Sequence, residues 1–137
     1  TSGRVTENDL KTDSKGWGNY IDNEYTISKT GAKYNVFDLD AHVITEWLPV
    51  TTSYTHNIND YTILSTGADN SFEKMGIYDL AGNMWEWTLE YTSDSVNPCA
   101  GRGGGYSSYG SNNPASYRYF YNATYSGEDA GFRVSLY

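Results

Sequence analysis

Cysteine is almost missing from this chain of 137 residues, which holds Cys99 and no other. An internal disulfide and a thiolate metal cluster are thereby excluded, and the redox compartment stays open. Proline is scarce too, with three residues against fourteen glycines, which points to many turns and away from a rigid linker or a collagen-like repeat. Nine lysines and arginines face seventeen acidic residues, a net charge of −8. Without a basic cluster to neutralise phosphates, nucleic acid and anionic membranes are disfavoured as partners. No apolar run approaches the ~18 residues of a spanning helix, so membrane insertion by this segment is not expected. No internal repeat or low-complexity linker divides the sequence, and its length suits a single domain over residues 1–137. The opening "TSGRV" carries no leader, and the chain is expected to be the C-terminal part of a longer protein; localisation is not readable from this end.

What is abundant is aromatic: 16% of the residues, with fourteen Tyr and four Trp. Turn signals stand at "KGWGNY" and "KTGAKY", and between them "YIDNEYTIS" alternates like a half-buried strand. In "NVFDLDAHVITEWLPV" the residues Val36, Phe37, Leu39, Val43, Ile44, Trp47 and Leu48 recur at spacings near three and four. This predicts a helix over about 38–48, ended before Pro49 and capped by Asp38 and Asp40. "DYTILST", "MWEWTLEY" and "GFRVSLY" read as strands. The fold class expected is α+β, with short strands, one or two helices and long irregular loops.

Several residues have a scaffold reading of their own. Gly82-Asn83 suits a turn at positive φ. Trp85 and Trp87 share one strand face and can enter one core, which Phe132 is expected to join. Glu86 then points the other way and needs a donor, for which Arg102 or Arg133 would serve. Together, "GIYDLAGNMWEW" (76–87), "GRGGGY" (101–106) and "AGFRV" (130–134) resemble the formylglycine-generating-enzyme (sulfatase-modifying factor) branch of the C-type lectin fold. There a G-x-Y-D-x-x-G-N-x-x-E-W segment, an R-G-G segment and a terminal G-F-R follow one another at similar spacing. The resemblance covers about 76–137 well and 1–75 poorly, although "GWGNY" looks like the opening of smaller ligand-binding relatives.

That resemblance implies an oxidase with a pair of active-site cysteines after R-G-G, thiolates that can attack or hold copper. Here the corresponding "GYSSYGSNNPASYRYFY" contains none, and Cys99 precedes the motif without a second thiol. A serine hydroxyl does not replace a soft thiolate, so the oxidase reading fails and no catalytic residue is assigned. His42 and His56 have no zinc spacing, and no nucleophile elbow, phosphate loop or H-E-x-x-H occurs. A calcium-dependent sugar lectin is not supported either, since "NNP" (112–114) is a fragment of its triplet and W-N-D is absent. Asn83 and Glu86 could join a structural calcium site, but a hydrogen-bonded core pair is favoured; no cofactor is expected.

Residues 102–133 then call for an explanation, because fourteen of these thirty-two are Tyr, Ser or Asn. Such enrichment is the chemistry of an antibody-like contact surface: tyrosine gives a large rigid area with a polar tip, and serine and asparagine adapt their hydrogen bonds. Short clusters of these types sit within a frame that includes Gly103, Gly104, Pro114, Arg118, Gly131 and Arg133. This resembles the variable proteins of diversity-generating retroelements, whose lectin-fold C-terminus carries a variable region ending near G-F-R. There, adenine mutagenesis of template codons yields Tyr, Ser, Asp, Phe, Gly or Thr, but not Lys, Gln, Glu, Met or Trp. Residues 102–133 contain no Lys, Gln, Met or Trp, and Glu128 departs from the pattern.

The resemblance implies a diversified, receptor-type domain on a cell surface or virion that binds a protein or glycan. The ligand-binding residues expected are Tyr106, Ser108, Tyr109, Asn112, Asn113, Tyr117, Tyr119, Phe120, Tyr121, Asn122, Tyr125, Ser126, Glu128 and Asp129, all reaching solvent from a fixed backbone. Alternation in "YRYFY" sets Tyr119 and Tyr121 on one face and Phe120 on the other, so part of this set would be structural. Asn122-Ala123-Thr124 spells a glycosylation sequon, read as a chance occurrence for a bacterial or viral source. The competing readings are a divergent oxidase of the same family, which requires a deep cleft with convergent titratable groups, and a structural surface or tail domain whose tyrosines pack against a neighbouring subunit.

Overall fold

A computed structural model of the chain describes residues 4–41 and 43–133. The N-terminal segment forms α1 (Glu7–Lys11), the one α-helix among the described residues. Its start is fixed by a capping box, in which the Thr6 hydroxyl accepts from the Asp9 amide and the Asp9 carboxylate accepts from the Thr6 amide. Short strands follow: β1 (Tyr25–Ile27), β2 (Lys33–Asp38), β3 (Val43–Ile44), β4 (Leu48–Pro49), β5 (Tyr54–His56) and β6 (Thr62–Leu64). The second half supplies β7 (Glu73–Lys74), β8 (Ile77–Tyr78), β9 (Trp85–Tyr91), β10 (Cys99–Arg102), β11 (Arg118–Tyr121) and β12 (Ala130–Phe132). The architecture is mostly small β-sheets with one helix, compatible with a small lectin-like fold.

In the first half β1 pairs with β5, while β2 pairs with β3, β4 and β6, all antiparallel. The helix expected over 38–48 does not form. Asp38 closes β2 instead: its carboxylate accepts from the amides of Asp40 and Ala41, both at 2.9 Å, and the chain folds back into β3. Two physical reasons decide this. The β-branched Val36, Val43, Ile44 and Thr45 favour extended backbone. Five of the apolar residues, Val36, Leu39, Val43, Trp47 and Leu48, also stay exposed, so no buried helical stripe results. The reading of His42 lies outside the described residues. His56 is fully buried, with Nδ1 2.7 Å from the Asn23 carbonyl and Nε2 2.9 Å from that of Asp60.

Two clusters form the core. Ile27, Ala32, Val50, Leu64, Ala68 and Phe72 pack under β1, β2 and β6, and Trp17, Tyr20 and Ala81 form a second group that takes in Leu10 of α1. Between them lies a buried pair of amides. Asn83 occupies the expected turn, with φ of 69° at Gly82 and 67° at Asn83. Its Oδ1 accepts from the Leu64 amide (2.9 Å) and from Asn19 Nδ2 (3.0 Å), and its Nδ2 donates to the Leu64 carbonyl (3.0 Å). Only glycine fits at 82, because a Cβ there would lie 2.5 Å from the Asn19 carbonyl oxygen. The motif "AGN" is thus clasped to "GNY" across the sequence.

The third sheet has the order β11-β10-β9-β12 and carries the Tyr-rich segment. β9, β10 and β11 are antiparallel neighbours, whereas β12 returns parallel to β9 with Gly131 opposite Glu86. "MWEWTLEY" and the first part of "GFRVSLY" are therefore strands as expected; residues 134–137 lie outside the described residues. Of the three aromatics read as core, Trp85 is buried and Trp87 half-buried, but Phe132 is 78% exposed. It lies on the edge strand β12 and, among the described residues, is not drawn into either core cluster.

Candidate ligand-binding face

The face begins at β10. Gly101 leaves room for the ring of Tyr121 on β11, which would sit 2.6 Å from any Cβ at that position. Arg102 next to it grips Glu90 of β9 through Nε (2.8 Å) and Nη2 (2.7 Å) and donates from Nη1 to the Ser116 carbonyl. Arg118 stands 3.6 Å from the same carboxylate. The arginine hydrogen bonds hold the Glu90 carboxyl below its usual range. These contacts fix the start of "SYRYFY" at Ser116 and Arg118.

Strand alternation then sorts the side chains. Tyr119 and Tyr121 point to one side, where Tyr119 meets Trp85 at 5.4 Å and Tyr121 meets Trp87 at 4.9 Å between ring centroids. Phe120 points to the other side, with the Arg118 guanidinium 5.3 Å from its ring. Tyr125 follows in the next loop, 4.5 Å from Tyr121, and its hydroxyl donates to Asp129 Oδ1 at 2.6 Å. Burial, helped by the nearby Asp129 charge, raises the hydroxyls of Tyr121 and Tyr125 above their usual range. A cleft of about 450 Å³ opens between these residues, bordered by Trp85, Asn97, Ser108, Asn113, Tyr119, Phe120, Tyr121, Asn122, Tyr125 and Asp129.

The expected binding residues divide into two groups. Tyr109, Asn112, Tyr117, Tyr119, Phe120, Asn122, Tyr125, Ser126 and Glu128 are exposed, and Asn113 and Asp129 are partly so. Contrary to the expectation that all reach solvent, Tyr106, Ser108 and Tyr121 are buried, being 4%, 9% and 5% exposed, although Ser108 and Tyr121 still border the cleft. The Tyr106 amide donates to the Asn83 carbonyl (2.9 Å), and burial lifts its hydroxyl to about 12. The Ser108 hydroxyl accepts from the Gly105 amide (3.2 Å), and the Ser108 carbonyl from the Ile21 amide (3.1 Å). Tyr121 is covered by the rings around it. Phe120 alternates with Tyr119 along β11 and still borders the cleft.

Sequence reasoning missed Asn97 and the part Trp85 plays in lining the cleft. Nothing local to Asn97 signals it, since the β9–β10 turn brings it there. Trp85 was assigned to the core, and its ring serves both purposes.

Glu86 finds its donor in Arg133, whose Nε lies 2.9 and 3.1 Å from the carboxylate oxygens. Arg133 also donates to the carbonyls of Tyr78 (2.7 Å) and Asp79 (3.0 Å), which ties β12 to the turn before Gly82. With Asn83 bonded to Leu64 and Asn19, a calcium ion at Asn83 and Glu86 would have to displace these bonds. Among the described residues no three His, Cys, Asp or Glu side chains converge as metal ligands.

The sulfatase-modifying factor enzyme 1-like domain matches residues 6–136. The chain belongs to that family. The match takes in the N-terminal half, which motif reading alone left poorly matched, and the Asn19–Asn83 clasp gives a structural reason for both halves to form one unit. No curated protein and no solved structure matches the chain. Within this sulfatase-modifying factor-like domain, Cys99 sits half-buried on β10 opposite Tyr121, and the segment after Arg102-Gly103-Gly104 carries hydroxyls, amides and rings in place of thiols.

Proposed function

We propose that this domain is a non-catalytic, receptor-type binding module. In this reading residues of about 102–133 form a diversified contact face, as in diversity-generating retroelement variable proteins, directed at a protein or glycan ligand from a cell or virion surface. The observation that carries it is a division of labour inside one segment. Tyr109, Tyr117, Tyr119, Phe120 and Tyr125 are 39–47% exposed, while the intervening backbone is held by Arg102, the Glu90 carboxylate and the buried Tyr106, Ser108 and Tyr121. Exposed aromatics held on a fixed backbone favour contact, because ordering their two torsions on binding costs little entropy. A thiol-dependent oxidase is disfavoured by the lack of a cysteine pair: Cys99 is the chain's one sulfhydryl.

The test is a displayed library. Randomising Tyr109, Asn112, Tyr119 and Tyr125 is expected to leave most members folded, since substitutions at exposed sites typically shift stability by about 0.5 kcal/mol or less. Selection should then yield binders to unrelated proteins or glycans. Randomising Tyr106, Ser108 and Tyr121 should unfold most members. Equal losses in the two libraries would overturn the proposal. At the DNA level, a near-copy of codons 102–137 beside a reverse transcriptase gene, differing only at adenines, is the expected companion of diversification.

A further inference from the structure

We infer that the cleft beside Asp129 receives a cationic side chain, a lysine ammonium or an arginine guanidinium, presented by a protein ligand. This rests on the contact-face reading above and names the chemistry that the face recognises in its present sequence. Three observations lead to it. The first is the wall: the rings of Tyr119, Tyr121 and Tyr125 stand 4.5–5.0 Å apart, and aromatic faces carry negative electrostatic potential that attracts cations. The second is the carboxylate at the rim. The Asp129 carbonyl accepts from the Trp85 amide at 2.8 Å, which fixes its backbone, and Oδ1 accepts from the Tyr125 hydroxyl at 2.6 Å. Among the described residues Oδ2 has no hydrogen-bond partner, and neither Asp129 nor the adjacent Glu128 has a basic partner within ion-pair distance.

The third observation is where the basic residue of this strand goes. Arg118 pairs with Glu90 at 3.6 Å and lies over the Phe120 ring, and it is not among the residues that border the cleft. The cleft therefore combines aromatic faces, an unneutralised carboxylate and no internal cation. A neutral pyranose could stack on the rings and donate a hydroxyl to Asp129, but it would bring no counter-charge. A basic group supplies that counter-charge together with charge-assisted hydrogen bonds. At about 450 Å³ the cleft has room for such a side chain with some of its flanking peptide. The net charge of −8 acts in the same direction, drawing basic partners from a distance.

The experiment is an NMR titration of the whole domain with three probes: N-acetyl-arginine amide, its neutral isostere N-acetyl-citrulline amide, and methyl α-galactoside. Selective shifts at Tyr119, Tyr125 and Asp129 are expected with the arginine probe. In Asp129→Asn, which keeps an oxygen for the Tyr125 hydroxyl, arginine affinity should fall roughly tenfold, toward that of citrulline. Equal binding of arginine and citrulline, or a preference for the galactoside, overturns the cation inference and leaves the contact face standing. Silence of the cleft toward all three probes also overturns it. A soluble nitroxide then tests the underlying reading separately: broadening of the Tyr119 and Tyr125 resonances keeps the face open, and protection removes it.

Discussion

Asn83 is where a local preference and a long-range contact coincide. A positive φ is tolerated by asparagine, and the same side chain then satisfies both backbone groups of Leu64 and meets Asn19. Asn83→Ala would leave the Leu64 amide and carbonyl unpaired in the interior, and each buried orphan costs about 1–3 kcal/mol. A clear drop in thermal midpoint is expected, whereas Asn112→Ala on the exposed turn should change it little. Glu90 gives a prediction with a definite sign. Its folded-state pKa lies below the unfolded one, owing first to the hydrogen bonds from Arg102, so its stabilisation is present above the unfolded value and is lost as pH falls through the folded one. Melting from pH 7 to pH 3 should show a loss that Glu90→Gln reduces, the variant starting lower at neutrality. Asp79 has the opposite sign, because burial raises its carboxyl. Its contribution diminishes as pH rises from the unfolded value to the folded one. The Gly82-Asn83 turn was legible in the sequence because dihedral preferences are local. The burial of Tyr106, Ser108 and Tyr121 was not, since the residue types that suit a contact surface also fill a polar interior.

Among the elements, the sheet β11-β10-β9-β12 does most to position the face, and its narrowest tolerance is at Gly101. Gly101→Ala places a methyl 2.6 Å from a carbon of the Tyr121 ring, so either the ring or β11 must move. Overpacking of this kind typically costs about 1–3 kcal/mol. A lower unfolding midpoint in denaturant and a changed near-ultraviolet circular dichroism signal from the Trp87–Tyr121 pair would register it; unchanged values would show that β11 is free to slide. Of the strands in this sheet, β9 and β12 were readable, from "MWEWTLEY" and "GFRVSLY". The hairpin of β2 and β3 was not, because its apolar residues repeat at helix-like intervals while the β-branched types and the Asp38 turn favour extended chain. The partner of Glu86 was readable only as a choice of two arginines. The parallel return of β12, with Gly131 beside Glu86, decides for Arg133, and no local pattern encodes that register.

At the scale of the whole molecule, the acidic balance and the placement of the aromatics act together. Long-range attraction of a basic partner is screened over about 8 Å at physiological ionic strength. For a basic protein ligand selected on this face, the association rate should fall as salt is raised while the dissociation rate changes less. Stopped-flow mixing across a salt series would check this, and a salt-independent association rate would argue against steering by the −8 charge. The Tyr20 hydroxyl links these scales: it donates to the Gly103 carbonyl at 2.8 Å and lies 3.0 Å from that of Asn113, so one phenol staples both ends of the intervening loop to the interior. Within that loop Gly110 is tied to Ser14 and Asp22, so the exposed stretch between Gly110 and Asn113 can change length without disturbing what lies beneath. Foreign peptides spliced in place of Ser111 and Asn112 should therefore be carried as passengers, which makes this span a natural port for grafting.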